Sequence, residues 1–268
     1  NGDAVTTEHT QPIYNPATRA VFAQVPDASR EQLDQTVGFA RAALKGWAAT
    51  PAEGRQAALE RYASLIEAHA EEFVSLLTRE QGKPKAGAEW EVFGSVDWLR
   101  AVASQRLPDE VVEDGDDRRV VTRFTPVGVV GAIVPWNFPM IMACWKLGPA
   151  LATGNSVVLK PSEKSPLTAI KMAQLALDAG IPKGVLNVLP GLGHTVGKAL
   201  ALHMDVDTLV FTGSTKIAKQ LMIYAGQSNM KRVWLEAGGK SPNIVFNDAP
   251  DLKAAAQAAA SAIAFNQG

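Results

Sequence analysis

The chain has 268 residues, 47% of them hydrophobic and 20% charged, which excludes wholesale disorder. A formal net charge of −1 gives no reason to expect a nucleic-acid or membrane-surface partner, and no apolar run reaches the ~18 residues of a membrane span. A lone cysteine, Cys144, excludes a disulfide framework and a Cys-rich metal site; its apolar neighbours Met142, Ala143, Trp145 and Leu147 predict a packed, structural thiol. The histidines (His9, His69, His194, His203) show no metal-ligand spacing, so no metal is expected. The start, Asn1-Gly2-Asp3-Ala4, lacks the basic and apolar regions of a signal peptide, and a reducing, cytoplasmic setting is the expectation.

The first hundred residues read as mostly helical. Ser29-x-x-Gln32 has the form of a capping box, followed by Leu33, Val37, Ala40 and Leu44 at helical spacing. Thr50-Pro51-Ala52-Glu53 predicts a second start, with Thr50 as N-cap, proline at the first helical position and Glu at the third. Leu59, Tyr62, Ile66, His69, Phe73 and Leu76 then form one apolar stripe. Gly82-Lys83-Pro84 interrupts it, and a further helix carries Trp90, Phe93, Val96 and Trp98. Asp114-Gly115-Asp116-Asp117 is a turn, and residues 120–124 read as a strand, one arm of a hairpin.

After Pro126, short apolar runs alternate with helical stretches. The runs are 129–134, 156–159, 185–189, 208–211, 233–235 and 244–246; the helical candidates are 141–152, 166–178, 195–202, 215–225 and 251–264. This alternation predicts an α/β fold, a doubly wound parallel sheet covered on both faces, and the unbroken Val/Ile/Leu runs suit strands buried on both sides.

Polar and glycine-rich clusters follow the runs: Trp136-Asn137, Lys160-Pro161-Ser162-Glu163, Gly191-Leu192-Gly193-His194, Thr212-Gly213-Ser214-Thr215 and Glu236-Ala237-Gly238-Gly239. Ligands of open parallel sheets bind outside the carboxyl ends of the strands, so five clusters are expected at one edge. Each also has a plain structural reading. Lys160 is either a surface lysine or a donor to ribose hydroxyls or phosphate. Glu163 is either a helix-start charge or a ligand-facing carboxylate. Gly191-Leu192-Gly193 is a weak dinucleotide signal, because Val196 stands where the third glycine of G-x-G-x-x-G belongs. The turn at Ser214 opens a helix, whose free amides make an anion site. Asn137 is either a turn former or an oxyanion donor. Glu236, after an apolar run, is expected to be partly desolvated, with its pKa raised toward that of a general base.

Pro135-Trp136-Asn137-Phe138-Pro139, Lys160-Pro161-Ser162-Glu163, Phe211-Thr212-Gly213-Ser214-Thr215 and Leu235-Glu236-Ala237-Gly238-Gly239-Lys240-Ser241-Pro242 together resemble the signatures of the NAD(P)-dependent aldehyde dehydrogenase superfamily, in family order across essentially the whole chain. The wording of residues 142–146, 193–198 and 236–238 is closest to the bacterial ω-aminoaldehyde group, which includes γ-glutamyl-γ-aminobutyraldehyde and 4-guanidinobutyraldehyde dehydrogenases. The resemblance implies a Rossmann-like NAD-binding fold with an N-terminal helical segment and part of an oligomerisation hairpin. It also implies a homodimer or tetramer acting on an aldehyde. By resemblance, Asn137 is the oxyanion-hole amide, Glu236 the base that activates water, and Lys146 the lysine near its proton path. Lys160 and Glu163 resemble the pair that holds the adenosine ribose. Trp136 and Ser214 resemble pyrophosphate contacts, with Phe211, Thr212 and Gly213 in the same turn. Gly193 and Gly197 lie by the adenine. Ala237, with Gly238 after it, replaces the leucine common beside the nicotinamide.

The family nucleophile follows the Phe265-Asn266-Gln267-Gly268 segment within a few residues, so the chain resembles roughly the first half of such an enzyme and the nucleophilic cysteine is expected beyond it. The implied division is 1–118, an N-terminal helical part of the cofactor domain; 119–126, an oligomerisation strand; 127–237, the NAD-binding domain; and 238–268, the opening of a catalytic domain. The alternative is a non-catalytic nucleotide-binding or self-associating fragment.

Overall fold

A computed structural model describes residues 3–267, so Asn1, Gly2 and Gly268 lie outside the described residues. The chain opens with an antiparallel hairpin of β1 (Thr10–Tyr14) and β2 (Val21–Pro26) that the helical reading of the first hundred residues missed. Only Ile13 and Val25 of this hairpin are fully buried, so its sequence shows little alternation.

Four helices follow: α1 (Arg30–Ala49), α2 (Ala52–Ala68), α3 (Ala70–Glu80) and α4 (Lys85–Ala103). The capping box forms as expected, with Ser29 Oγ accepting from Gln32 N at 3.2 Å and Gln32 Oε1 accepting from Ser29 N at 2.9 Å. The expected second cap is corrected. Pro51 occupies the N-cap of α2, and Thr50 ends α1, its hydroxyl donating to Gly46 O at 3.1 Å. The single stripe is two helices broken at His69, and Leu77 takes the fully buried place expected for Leu76. In α4 the aromatic residues face outward. Trp90, Phe93 and Trp98 are exposed, while Ala88, Glu91, Val92, Ser95, Val96 and Leu99 are buried. The expected turn closes a hairpin of β3 (Glu110–Asp114) and β4 (Arg119–Thr122), exposed at every residue.

The remaining elements are β5 (Val129–Ile133), α5 (Pro139–Ala152), β6 (Ser156–Lys160), α6 (Leu167–Asp178), β7 (Leu186–Val188), a π-helical turn (Gly193–Gly197), α7 (Lys198–Leu202), β8 (Thr208–Gly213), α8 (Thr215–Gly226), β9 (Arg232–Ala237) and α9 (Leu252–Ala264). The five strands pair in parallel in the order β7-β6-β5-β8-β9, so strand order reverses between β5 and β8. Side chains alternate between two cores. Val130, Ala132, Val157 and Leu159 pack with α2, α4, α5 and α6. Val129, Ile133, Val158, Leu209 and Phe211 pack with α1, α7 and α8. This is the doubly wound α/β sheet that the sequence predicts. Two buried donors fasten the helical layer: Tyr62 Oη to Met172 O at 3.0 Å and Trp47 Nε1 to Leu151 O at 3.0 Å. Each ring adds roughly 1.5–3 kcal/mol of apolar burial, with its polar tip satisfied.

The expected strand at 244–246 does not form. Ile244, Val245 and Phe246 are exposed, and among the described residues no strand pairs with them. Helix α9 starts where expected, on the Asp251 cap, and has no buried residue. No helix of the described residues is long and apolar enough to cross a membrane. Among the same residues no three His, Cys, Asp or Glu side chains gather to hold a metal.

Candidate functional site

All five parallel strands end on one edge of the sheet, and that edge gathers the predicted site residues. Strand order reverses between β5 and β8, and Trp136-Asn137 and Thr212-Gly213-Ser214 follow or close these two adjacent strands at the edge where open α/β sheets take ligands. Trp136 is half exposed and Asn137 partly buried.

At the end of β6, Lys160 is buried, and its Nζ donates to Pro161 O at 2.9 Å and to Glu163 Oε2 at 3.2 Å. The surface reading of Lys160 therefore fails. Burial pushes its pKa down, against the pull of Glu163. Glu163 stays exposed. Burial, the largest single influence, pushes its carboxyl up, but the charge and hydrogen bond of Lys160, a backbone hydrogen bond and the charge of Lys164 together hold it below its ordinary value. A cavity of about 630 Å³ opens beside this pair, lined by Trp136, Glu163, Leu192, Ile13 and Gln81.

The departure from G-x-G-x-x-G has a packing reason. A Cβ on Gly191 would stand 2.5 Å from Val196 Cγ2, so Val196 fills the space over that glycine. Gly193–Gly197 form the π-helical turn, a feature frequent at functional sites. A Cβ on Gly197 would sit 3.8 Å from Lys160 Cδ, which brings the turn against the lysine stem, whereas Gly193 faces open space. At the end of β8 the Phe211 ring lies across Gly213, where a Cβ would be 2.5 Å from Cζ. Ser214 caps α8 by accepting from Ile217 N at 3.4 Å. The amides of Thr215 and Lys216 have no partner among the described residues and point out of the helix N-terminus.

Glu236 lies on β9 in register with Thr212 on β8, and Ala237 with Gly213. Thr215 Oγ1 donates to Gly238 O at 3.2 Å, tying the two strand ends together. Lys146 reaches in from α5, its Nζ donating to Thr212 Oγ1 at 2.7 Å. Burial lowers the Lys146 pKa to about 8, and the Glu236 carboxylate resists that fall. The desolvation expected for Glu236 is absent: its side chain is exposed, because β9 is the edge strand of the described sheet and alternates exposed and half-covered positions.

Cys144 sits on α5, fully buried, with its thiol pushed up to about 12 by burial. It faces the helical core and not the strand ends. Sequence reasoning missed three features beside Asn137. Trp90, Phe138 and Phe265 form an aromatic cluster with ring centroids 5.3–6.0 Å apart. Lys83 and Glu91 form a fully buried ion pair beneath it. Asn266 Nδ2 donates to Asn137 O at 3.0 Å. The one available signal was a charged residue, Glu91, on the apolar face of a helix.

The aldehyde dehydrogenase family model matches residues 4–268. The chain is 47% identical over its full length to the NADP/NAD-dependent aldehyde dehydrogenase PuuC of Escherichia coli (strain K12), covering 56% of that protein. Among solved structures, it matches the indole-3-acetaldehyde dehydrogenase AldA of P. syringae in complex with NAD+ and IAA, with TM-score 0.97 and 58% identity over 100% of this chain and 55% of that one. It also matches the γ-glutamyl-γ-aminobutyraldehyde dehydrogenase of Burkholderia cenocepacia J2315, with TM-score 0.96 and 48% identity over 99% and 55%. The chain spans about half the length of the curated relatives it matches.

Proposed function

The chain belongs to the aldehyde dehydrogenase family, and from that premise we propose that the whole protein oxidises an aldehyde to its carboxylic acid with NAD. The observation that carries the proposal is the gathering of Asn137, Lys146, Glu236 and the Lys160–Glu163 pair at one strand-end edge of the sheet. The residues present fit the dinucleotide. Glu163 would accept from ribose hydroxyls beside Lys160, and the free amides at the start of α8 with Ser214 would hold the pyrophosphate, with Trp136 as a further contact. Phe211 and Gly213 shape that turn, Gly193 and Gly197 would contact the adenine end, and Ala237 and Gly238 the nicotinamide end. NAD, when bound, accepts the hydride from the substrate carbon.

The chain's own residues supply charge and proton control. A cysteine outside this chain adds to the aldehyde carbon, and the Asn137 side-chain amide donates to the resulting oxyanion. Loss of hydride leaves a thioester. Glu236 takes a proton from water, the water adds to the thioester carbonyl, and the carboxylic acid leaves as the thiol is restored. Lys146, held on Thr212, is close enough to Glu236 for that carboxylate to favour its ammonium form, and it places a lysine beside the proton path of the base.

The substrate we assign is an ω-amino or guanidino aldehyde. The similarity to PuuC and to the B. cenocepacia enzyme supports it, and the half-exposed Trp90 and Phe265 rings suit a cationic tail, the Phe138 ring already packing against Lys83. NADH formation by the whole protein from 4-guanidinobutyraldehyde, γ-glutamyl-γ-aminobutyraldehyde and indole-3-acetaldehyde tests this. The first two should give the higher kcat/KM; preference for the indole aldehyde refutes the substrate assignment, and no NADH from any aldehyde refutes the function.

The exposed β3–β4 hairpin, with Val111 and Val112 bare, is our assigned subunit contact in a homodimer or tetramer. Val112→Glu should lower the mass measured by light scattering; an unchanged mass removes the assignment.

A further inference from the structure

Lys83 and Glu91 are both 0% exposed, and neither enters the chemistry above. Burying two charges costs several kcal/mol per ion, and well-packed apolar residues would serve the core equally well or better. The pair therefore needs a reason beyond stability, and its hydrogen bonds supply one. Lys83 Nζ donates to Glu91 Oε2 and also to the backbone oxygen of Asn137 at 3.0 Å. The other oxygen, Glu91 Oε1, accepts from Met140 N at 2.8 Å and Ile141 N at 3.1 Å, two amides in the first turn of α5. From the other side, Asn266 Nδ2 donates to the same Asn137 oxygen at 3.0 Å. Thus the ammonium holds the peptide that carries Asn137, and the carboxylate holds the helix start three and four residues on. The Asn137 carbonyl has both lone pairs occupied, so its peptide plane cannot turn without breaking a charge-assisted bond. The Asn137 side-chain amide itself has no hydrogen-bond partner among the described residues.

We propose that Lys83 and Glu91 are positioning residues that fix the Asn137 backbone, so that its side-chain amide is held in place for the oxyanion, with Asn266 closing the clamp from the chain segment opposite. This rests on the reading of Asn137 as the oxyanion donor. Misplacing a preorganised donor by about 1 Å costs on the order of a hundredfold in rate while leaving ground-state binding largely alone.

The test uses the whole protein and compares Lys83→Met/Glu91→Leu, Asn266→Ala and Asn137→Ala. For the pair variant, which removes both charges together but leaves the buried Met140 and Ile141 amides without their acceptor, the clamp predicts a lowered Tm with the native fold kept, and NAD affinity and aldehyde KM within about threefold. Its kcat should fall roughly 10- to 100-fold. That loss should vanish in the Asn137→Ala background, because the positioned group is already gone. Wild-type kcat in a pair variant that is folded at the assay temperature overturns the proposal and leaves the pair as a structural cap on α5. If the pair variant does not fold, Asn266→Ala decides, since it leaves the ion pair intact. A kcat loss that disappears in the Asn137→Ala background supports the clamp, and wild-type kcat overturns it. Wild-type kcat in Asn137→Ala would remove the oxyanion reading and this proposal with it. A loss in Asn137→Ala with none in the clamp variants removes the proposal alone.

Discussion

Iodoacetamide applied to the whole native protein at about pH 8 should leave Cys144 unmodified on the timescale in which exposed thiols react. The thiolate is the reactive form, and burial disfavours it: the Cys144 pKa is pushed up from 9.0 to about 12, despite a hydrogen bond with Ser95 that acts the other way. At pH 8 a pKa of about 12 leaves roughly one thiol in 10⁴ ionised, against about one in ten at the ordinary value. The intrinsic rate therefore falls about a thousandfold, before counting the opening needed to admit reagent to a side chain that is 0% exposed. Timed alkylation, quenching, digestion and mass spectrometry of the peptide carrying Cys144 measure the ratio of native to denatured rates. The expected ratio is about 10⁻³ or lower. A native rate within tenfold of the rate in guanidinium would refute the reasoning and bring Cys144 back as a nucleophile. Cys144→Ala should keep kcat and cost on the order of 1 kcal/mol of stability, as a small void in the core does.

Glu163→Gln in the whole protein should narrow its preference for NAD over NADP, since the carboxylate at the ribose repels a 2′-phosphate; equal affinities for the two cofactors in both proteins would sink that role. Lys146 gives a pH signature. Its folded pKa, about 8, lies below the unfolded value of 10.5, so the unfolded chain binds more protons between them and stability should rise with pH across that window. Lys146→Met should flatten the rise. Denaturant midpoints measured from about pH 7 to 10.5 check this, and parallel profiles for the two proteins would contradict it.

The sheet was legible because its central strands are covered on both faces. The runs at 129–134 and 208–211 carry apolar side chains to two cores at once, and no surface helix produces that pattern in so few residues. Ser29 was legible because a capping box is a local bargain between four residues. The β1–β2 hairpin was not, since a strand that buries only Ile13 or Val25 carries almost no periodicity. The residues at 244–246 misled for the opposite reason: apolar, β-prone side chains form a strand only when a neighbour receives their ladder, and none of the described strands does. Within the site, the clusters were found because they punctuate strand ends. Their environments were not found, because burial is a tertiary property. Lys160 is covered by its own turn and the π-helical segment, while Glu236 is left open at a sheet edge. Lys83 and Glu91 were invisible as a pair because each is a common surface residue type, and only the packing of α4 on α5 brings them together away from water.

The division of labour between Asn137 and Glu236 is the centre of this account, and pre-steady-state NADH formation by the whole protein carrying Glu236→Gln tests it most directly. With the oxyanion donor intact and the water-activating base removed, the first turnover should proceed and the thioester should persist. The expected trace is a burst of about one NADH per active site, followed by a steady-state rate reduced by a hundredfold or more, with an acyl adduct visible by mass spectrometry. A wild-type steady-state rate, or loss of the burst itself while NAD still binds, would contradict the assignment of Glu236 as the base for the hydrolytic half of the reaction.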